Sequence, residues 1–565
     1  MSTREGAPAE GASMARDAEL PLSLPISLPL PGSGDTIAAL ATPAGRGALA
    51  VIRLSGPDAH AVAARVVTPW RAEPRTAYLA TLRDPATGKV IDRPVVTVYA
   101  APRSYTGEDL VELSVHGGEL VPVLALGALL AAGAREALPG EFTRRAVANG
   151  KMDVLQAEGV GDLIDAQSRA MHDAAIGQLE GSLSRRIAAL RDAVIGLESL
   201  IAYDIDFPEE DDGPIPAERV ERGIADLLAA LDALLATAAT GEMLRRGALV
   251  VIAGAPNAGK SSLFNALLGS TRAIVTDIPG TTRDAIEAVA DVGSWPVRLV
   301  DTAGLRETMD VVERLGIEVS ERYLGAADAV LACGETAESL AFTAARVRVL
   351  TPAPVIMVRT KADLVTNGYQ RRRAFTSAAG AQGGNPSGEL VADRDYDVPA
   401  PGGARGEDTS EGLVAKRYYC ASTPAGDSRL ESDRRTGRHA DQRADRQADP
   451  PVAVSAATGA GLGALADALA RLLADRYGDM RGDVRGDVHG DRSAPLLTRE
   501  RHRVAVERAR GEVADFARAW REGSLPATVA AVHLHAAATA LESLIGGVDV
   551  EDVLDRIFND FCVGK

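Results

Sequence analysis

The stretch GAPNAGKS, residues 254–261, decides the fold of the middle of this chain. It follows the apolar run Leu249–Ala253, which predicts a buried strand, and it matches the pattern GxxxxGK[ST]. The glycines let backbone N–H groups face phosphates, Lys260 can reach the β and γ oxygens, and the Ser261 hydroxyl can bind Mg²⁺. The stretch predicts a P-loop nucleotide site, but by itself it does not select the base.

Two further segments complete the phosphate side of the predicted site. DTAG at 301–304 follows the apolar run Val297–Val300, so that Asp301 can hold Mg²⁺, directly or through water, and the Gly304 N–H can meet the γ-phosphate. TDIPGTTR at 276–283 lies between the two motifs. One of its hydroxyls can complete the Mg²⁺ shell, and we predict that this is Thr282.

The base is predicted from the segment TKAD, residues 360–363. A carboxylate at Asp363 can accept hydrogen bonds from the N1–H and the amino group of guanine, which adenine does not offer in that arrangement. Many GTPases have Asn where Thr360 stands, so one base contact is expected to be weaker. Ser455 and Ala456 are predicted to supply the backbone contact to the guanine oxygen. The motifs therefore predict GTP as the nucleotide.

The predicted GTP-binding residues come from five segments. They are Asn257, Ala258, Gly259, Lys260, Ser261 and Ser262; Thr276, Asp277, Ile278, Pro279, Gly280, Thr281 and Thr282; Asp301, Thr302, Ala303 and Gly304; Thr360, Lys361, Ala362 and Asp363; and Ser455 and Ala456.

The motifs leave more than one candidate for the catalytic groups of hydrolysis. Leu305 stands where Ras-like enzymes place a glutamine, and no arginine finger is obvious, although Arg283 and Arg306 are nearby. A bound monovalent cation could supply the missing charge, with Asn257 as one ligand. The sequence leaves three acids as candidates for activating the water. They are Glu307, Asp310 and Glu313.

Composition bounds the remaining possibilities. The chain has 565 residues, which suggests two to four domains, and a formal net charge of −17. Such an acidic chain is expected to touch nucleic acid only through a local patch or a partner. Its three cysteines match no zinc spacing, and no stretch reaches membrane length without charge, so we expect a cytoplasmic protein.

Periodicity predicts a multidomain α/β and α chain. The predicted parts are a disordered tail at 1–34; an α+β domain at 35–152; a helical domain at 153–244 and 493–565; a Ras-like P-loop GTPase domain inserted at 245–478, with a flexible insertion at 366–450; and a flexible linker at 479–492.

With these motifs in hand, the chain resembles the MnmE (also called TrmE) family of tRNA-modification GTPases. The stretches that carry the resemblance are DTIAALATPAGRGALAVIRLSG (35–56), SYTGEDLVELSVHGG (104–118), PGEFTRRAVANGKMDVLQAE (139–158), VERLGIE (312–318) and RIFNDFCVGK (556–565). The resemblance implies a folate-binding N-terminal domain, a helical domain and an inserted GTPase domain. It also implies a homodimer that works with the flavoprotein MnmG, as a heterotetramer, on tRNA.

The implied reaction modifies C5 of the wobble uridine of certain tRNAs to an aminomethyl or carboxymethylaminomethyl form, with a one-carbon unit from a tetrahydrofolate derivative. The resemblance assigns folate contacts, K⁺ ligands, Mg²⁺ ligands and a water-activating acid. These are, in that order, Arg53, Glu112, Lys151 and Lys565; Asn257, Thr276, Ile278 and Thr281; Ser261 and Thr282; and Glu313. Lys260 joins Glu313 as a catalytic candidate, while Cys562 is either catalytic or a buried structural residue.

Two alternatives stay open. The motifs alone also fit a molecular-switch GTPase of the ribosome-assembly type, which would need no folate site. A set of arginines near 499–521 is the candidate tRNA phosphate surface, unless it is a solvated helix face with Glu500, Glu507 and Glu512 as partners. Its members are Arg499, Arg501, Arg503, Arg508, Arg510, Arg518 and Arg521.

Overall fold

The computed structural model describes residues 34–206, 217–270, 286–301, 322–364, 450–478, 495–522, 527–546 and Gly564. The tail before residue 34, the linker 479–492 and nearly all of the insertion 366–450 lie outside the described residues. The chain divides into two units, one comprising 1–361 with 452–565 and the other comprising 362–451. The mixed α/β and α fold class predicted from the sequence is confirmed.

The N-terminal region contains a six-stranded sheet and a small three-stranded sheet. The larger sheet has the order β4-β7-β8-β2-β1-β9. Its strands are β1 (Ile37–Leu40), β2 (Leu49–Ser55), β4 (Ala77–Leu79), β7 (Val95–Tyr99), β8 (Leu110–His116) and β9 (Arg135–Glu136). The small sheet joins β3 (Val67–Thr68), β5 (Thr81–Arg83) and β6 (Val90–Asp92).

Period-two alternation gives the larger sheet two different faces. On β2, Ile52 and Leu54 point into the core, where α1 (Ala59–Val66) and α2 (Val121–Ala131) cover the sheet. The intervening Arg53 lies on the opposite face and is partly exposed. The helix α3 (Glu141–Ala148) supplies Phe142 beside this second face. The Arg53 side chain therefore lies on the face that α1 and α2 leave uncovered.

The helical region draws on two distant parts of the chain. Its helices are α4 (Val154–Asp165), α5 (Arg169–Leu179), α6 (Ser182–Asp206), α7 (Ala217–Leu235), α8 (Ala238–Arg246), α12 (Glu500–Glu522) and α13 (Ala527–Ile545). One hydrophobic core contains residues from both parts, including Leu190 of α6 and Phe516 of α12. By length and composition alone, the stretch Ala217–Arg246 could cross a membrane, with a mean hydropathy of 1.5. Its apolar side, for example Ile224 and Leu231, packs in this core.

The nucleotide-binding region is built on a second six-stranded sheet with the order β11-β12-β10-β13-β14-β15. The strands are β10 (Ala248–Gly254), β11 (Ile286–Val292), β12 (Trp295–Asp301), β13 (Ala329–Gly334), β14 (Val355–Arg359) and β15 (Val452–Ala453), and the helices are α9 (Lys260–Ser270), α10 (Ala337–Leu350) and α11 (Leu462–Tyr477). Only β11 pairs antiparallel among these strands, so the carboxyl ends of the others meet at one edge. Ligands of doubly wound sheets bind at such an edge.

The nucleotide-binding region is firmly joined to the helices before it. Met243 and Leu244 of α8 are buried in the same core as the central strand β10. A side-chain carbon on Gly241 would lie 2.4 Å from the Leu497 carbonyl oxygen, so the backbone at 497 runs directly over α8. By packing, the region therefore begins within α8, a few residues before position 245.

Candidate nucleotide and folate sites

The loop between β10 and α9 has the backbone geometry of a phosphate cradle. Asn257 and Gly259 have φ values of 62° and 81°, in the left-handed region that turns N–H groups inward. Gly254 lies so close to β13 that a side-chain carbon would come within 2.7 Å of the Cys333 carbonyl oxygen. Lys260 is buried and its Nζ donates to the Ala255 carbonyl at 2.9 Å, which holds it over the loop.

Asp301 lies at the end of β12 and is 1% exposed. Its register partner on β10 is Ile252, just before the loop, so its carboxylate lies at the same sheet edge as Ser261 in the first turn of α9. A hydroxyl and a carboxylate are the hard oxygen donors that Mg²⁺ prefers. The described part of the predicted Mg²⁺ set therefore fits that ion.

Thr360 has a role that the sequence did not predict. Its hydroxyl donates to the Ala258 carbonyl at 2.7 Å, and its N–H donates to the Gly334 carbonyl at 3.0 Å. The residue is buried, so it fastens the end of β14 to the phosphate loop. A short hydroxyl therefore makes the link between these two segments in this chain.

The loop predicted to contact the guanine oxygen is tightly closed. The buried Ser455 donates its N–H to the Ala460 carbonyl at 2.9 Å, and its hydroxyl accepts from the Thr458 N–H at 3.3 Å. The Val454 N–H donates to the Arg359 carbonyl at 2.8 Å, which places the loop beside the end of β14. This position fits the predicted backbone contact.

Several predicted residues cannot be compared with the fold. Thr276, Asp277, Ile278, Pro279, Gly280, Thr281, Thr282, Thr302, Ala303, Gly304, Glu313, Cys562 and Lys565 lie outside the described residues. Ala362 and Asp363 begin a helical turn that belongs to the second unit of the chain.

Burial explains why Cys333 is not a candidate nucleophile. The residue is fully buried on β13 beneath the phosphate loop. Burial raises the pKa of its thiol to about 12, with the Asp301 carboxylate adding to the rise and Lys260 opposing it. A thiol is reactive only as the thiolate, so Cys333 is a structural residue of the sheet.

A second polar site lies on the uncovered face of the N-terminal sheet. Arg53 of β2 and Glu112 of β8 are direct register partners, and the Glu112 Oε1 accepts from the Arg53 Nε at 3.1 Å and from its Nη2 at 2.8 Å. The Tyr99 hydroxyl donates to the Glu112 Oε2 at 3.3 Å, and burial followed by the Glu112 charge raises the pKa of Tyr99. Two of the predicted folate contacts are thus in direct contact with each other.

The surroundings of Arg53 are aromatic and include the end of the chain. The guanidinium carbon lies 5.1 Å from the ring centre of Tyr105 and 5.7 Å from that of Phe142. Arg53 Nη1 also donates to the Gly564 carbonyl at 3.4 Å. Gly564 has a φ of 101°, and a side-chain carbon there would approach the Leu40 carbonyl oxygen to 2.3 Å. The residue next to the C-terminus is therefore packed tightly against the N-terminal domain of the same chain.

A buried ion network that the sequence did not predict holds this site in shape. Arg145 is 3% exposed and pairs with Asp35, Glu108 and Glu141. Glu108 also accepts from the Ser55 hydroxyl at 2.8 Å, which ties the segment carrying Tyr105 to β2. Burial would raise the pKa of Glu141, but hydrogen bonds from Arg135 and other donors lower it. In the sequence, only the density of charged residues in PGEFTRRA pointed to such a network. A buried ion cluster and a solvated helix surface have the same sequence pattern there.

The arginine set near 499–521 does not form a free basic surface. Five of its seven members contact carboxylates: Arg499 with Asp162 at 2.7 Å, Arg501 with Glu158 at 2.6 Å, Arg503 with Glu500 and Glu507 at 2.5 Å each, Arg510 with Asp232 at 2.6 Å and Arg518 with Asp515 at 2.8 Å. The structure favours the alternative of paired helix residues. The sequence predicted partners on the same helix, but Glu158, Asp162 and Asp232 come from other helices.

The fold and the first site define a class, the P-loop GTPases, here combined with an N-terminal α+β region and a helical region. Residues 36–151 match the family model described as "GTP-binding protein TrmE N-terminus", and residues 154–562 match that described as "MnmE helical domain". The chain belongs to the MnmE (TrmE) family of tRNA modification GTPases.

Individual relatives agree. A tRNA modification GTPase MnmE of Moorella thermoacetica is 36% identical over 94% of this chain and 99% of its own length. One from Thermus thermophilus is 49% identical over 52% of this chain and 67% of its own length. The G domain of the T. maritima FeoB iron transporter is similar to 23% of this chain and 82% of its own length, with 26% identity and a TM-score of 0.17, too low to support an argument.

Proposed function

We propose that this GTPase couples GTP hydrolysis to modification of C5 of the wobble uridine of certain tRNAs, to an aminomethyl or carboxymethylaminomethyl form. A tetrahydrofolate derivative supplies the one-carbon unit. Family membership supports the tRNA-modifying role and does not favour the ribosome-assembly switch. The division of labour follows the predicted boundaries, with folate at 35–152, GTP at 245–478 and the helical region at 153–244 and 493–565 joining them.

GTP hydrolysis is assigned to the sheet edge described above. Lys260 neutralises charge on the β and γ phosphates, Ser261 and Thr282 hold Mg²⁺, and Asp363 selects guanine. K⁺ supplies the charge that an arginine finger supplies elsewhere, and its proposed ligands are Asn257, Thr276, Ile278 and Thr281. Glu313 is the proposed water-activating acid. The left-handed backbone at Asn257 supports this scheme, because it places that residue in the phosphate loop and not in the helix α9 that follows.

The observation that carries the folate assignment is the contact of Arg53 with both Glu112 and Gly564. It joins two predicted folate residues directly and brings Gly564, the residue before Lys565 in the sequence, to the same place. The Glu112 carboxylate, oriented by its hydrogen bonds from Arg53, can accept from the amino group and ring N–H of a pterin. Lys151, whose Nζ donates to the Pro102 carbonyl at 3.1 Å, would offer a cation to the glutamate of the folate.

The uncovered sheet face also supports the homodimer. Leu79 of β4 and Val95 of β7 are register partners that are 66% and 43% exposed, and Leu49 of β2, on the same face beyond β8, is 64% exposed. Apolar side chains at this density on a sheet face are typical of an interface. The heterotetramer with MnmG, the role of Cys562 and a cytoplasmic location rest on the family resemblance.

Isothermal titration of the full-length protein with 5-formyltetrahydrofolate tests this proposal. Glu112→Gln removes the ionised acceptor while keeping the shape, so we expect binding about 10- to 100-fold weaker, the value of a charge-assisted hydrogen-bond pair. Glu119→Gln, an exposed acid on the same domain, is the matched control and should bind like the parent chain.

Gly564→Ala probes the tail in the same titration. The added carbon would collide with Leu40, so the tail must leave its position and folate binding should weaken although Glu112 is intact. If the folded parent chain gives no folate heat, the one-carbon assignment is wrong.

A further inference from the structure

Residues 35–152 carry a small net positive charge in an otherwise acidic chain. Residues 35–152 contain 13 Lys and Arg against 11 Asp and Glu, a net charge of +2, whereas the whole chain has −17, which leaves −19 for the rest. The arginines of α12, the other basic candidate, are mostly neutralised by carboxylates. A polyanionic partner should therefore be sought on the N-terminal domain.

Within that domain, three exposed cations meet at one edge. Arg75 donates through Nη2 to the Arg103 carbonyl at 3.4 Å, and Lys151 donates through Nζ to the neighbouring Pro102 carbonyl at 3.1 Å. All three side chains are exposed, and none forms an ion pair with a carboxylate of the described residues. Their contacts to backbone oxygens leave the three charges without a counter-ion in the part of the chain that the structure describes.

Arg75 is held in a conformation that an arginine rarely adopts. Its φ is 60°, in the left-handed region, which is strained for a residue with a side chain. The N–H of Arg75 donates to the Val98 carbonyl at 2.7 Å, which fixes this backbone beside β7. A glycine or asparagine would relieve the strain, so the arginine side chain itself is a candidate for function.

The neighbouring acids do not cancel this charge. Glu112 is paired with Arg53, and the Asp109 carboxylate accepts from the Ala101 N–H at 2.9 Å and faces His60 at 3.9 Å. Glu73, exposed two residues before Arg75, is the remaining acid close in sequence. The Tyr99 hydroxyl is hydrogen-bonded to Glu112, and the charges of Arg53 and Arg75 both oppose the rise that burial causes in the pKa of Tyr99. The basic edge therefore adjoins the proposed folate site.

We propose that Arg75 and Arg103 of this basic edge bind the phosphate backbone of the substrate tRNA, while the neighbouring Lys151 remains with the folate. This inference rests on the proposed function, because a uridine that receives a one-carbon unit must come close to the folate. The phosphates next to that uridine are then within reach of cations that border the Arg53–Glu112 pair. Such contacts position the RNA without reading its sequence.

The test is tRNA binding to the full-length chain, measured by fluorescence anisotropy across a series of KCl concentrations. Arg75→Glu with Arg103→Glu should weaken binding at least about tenfold at moderate salt. The slope of log affinity against log salt should fall by about two, one for each lost phosphate contact. Arg75→Lys with Arg103→Lys keeps the charges and should restore most of the binding.

The matched control is Arg508→Glu with Arg521→Glu, which reverses two exposed arginines of α12 without changing the basic edge. We expect the parent affinity and slope from it, with folding of each variant checked by thermal unfolding. If the two charge-reversed proteins bind tRNA equally well, or if only the α12 variant loses affinity for tRNA, the proposed surface is wrong. Either result would leave the proposed function standing. No tRNA binding by the parent chain would instead overturn the tRNA role on which the surface depends.

Discussion

The nucleotide-binding region and the helical region differ in how far apart their interacting residues lie in the sequence. The phosphate loop is complete within residues 254–261, and its shape follows from local backbone preferences. In the helical region, Arg501 of α12 pairs with Glu158 of α4, 343 residues away. A contiguous motif can be recognised in the sequence together with its chemistry. The sequence does not indicate whether the partner of a single arginine is a phosphate, water or a distant carboxylate.

The largest effect expected from the local region concerns the cation. We predict that GTP hydrolysis is faster in KCl than in NaCl by a factor approaching 10³, since an arginine finger contributes about 10³–10⁵ in other GTPases. Asn257→Ala should remove most of the difference. The measurement is the single-turnover rate of GTP hydrolysis in each salt.

Asn257→Gly separates the side chain from the backbone. Glycine adopts a φ of 62° without strain, so it keeps the loop while removing the amide. Loss of the K⁺ effect in both variants identifies the amide as the ligand. Equal rates in the two salts for the parent chain would mean that no cation replaces the arginine.

A smaller but still large effect is predicted for the water-activating acid. Glu313→Ala should bind GTP normally and hydrolyse it about 10²–10⁴-fold more slowly, the usual contribution of a general base. Glu307→Ala and Asp310→Ala are matched controls from the same segment and should keep near-parent rates. Weak binding of a fluorescent GTP analogue by Glu313→Ala would instead indicate a structural role.

The sequence predicted the fold where its signals are local. The buried run Leu249–Ala253 before GAPNAGKS indicated the central strand and the phosphate loop. The close packing between the nucleotide-binding region and the helical region could not be predicted from the sequence. The packing of Gly241 under Leu497 brings together residues more than 250 positions apart. Gly159 is similar. A glycine inside a helix costs roughly 0.5–1 kcal/mol relative to alanine. At Gly159, however, a side-chain carbon would lie 2.9 Å from the Leu179 nitrogen, so the glycine lets α4 and α5 approach closely.

The sites divide in the same way. Lys260, Ser261 and Asp301 meet at the edge their motifs indicate, while Thr360 looked like a departure and makes a link of its own. In the N-terminal domain the resemblance singled out Arg53 and Glu112, but only the register of β2 and β8 makes them partners. The basic edge was missed because its residues come from three separate loops with no shared pattern.

The comparison can be sharpened on a single helix, because Arg501 and Arg503 of α12 have opposite surroundings. Arg501 donates to Glu158, which is fully buried and also accepts from His502 at 2.7 Å. Arg503 is partly exposed and contacts Glu500 and Glu507 of its own helix. Burial opposes ionisation of Glu158, but the hydrogen bonds from His502 and Arg501 outweigh it and lower the pKa of that carboxyl.

We therefore predict that Arg501→Ala destabilises the helical region by about 3 kcal/mol, at the low end for a broken buried pair because His502 remains. Arg503→Ala, an exposed pair, should cost about 0.5 kcal/mol. The measurement is urea unfolding followed by the fluorescence of Trp520, which packs against this core, with Trp70 and Trp295 replaced by phenylalanine. A group with a lowered pKa stabilises above its unfolded value, about 4.3 for Glu, and loses that contribution as the pH falls. The gap between the parent and Arg501→Ala should therefore narrow below about pH 4.3. If Arg501→Ala and Arg503→Ala lower the free energy of unfolding equally at neutral pH, the buried contact of Arg501 with Glu158 stabilises the protein no more than the exposed pairs of Arg503 do.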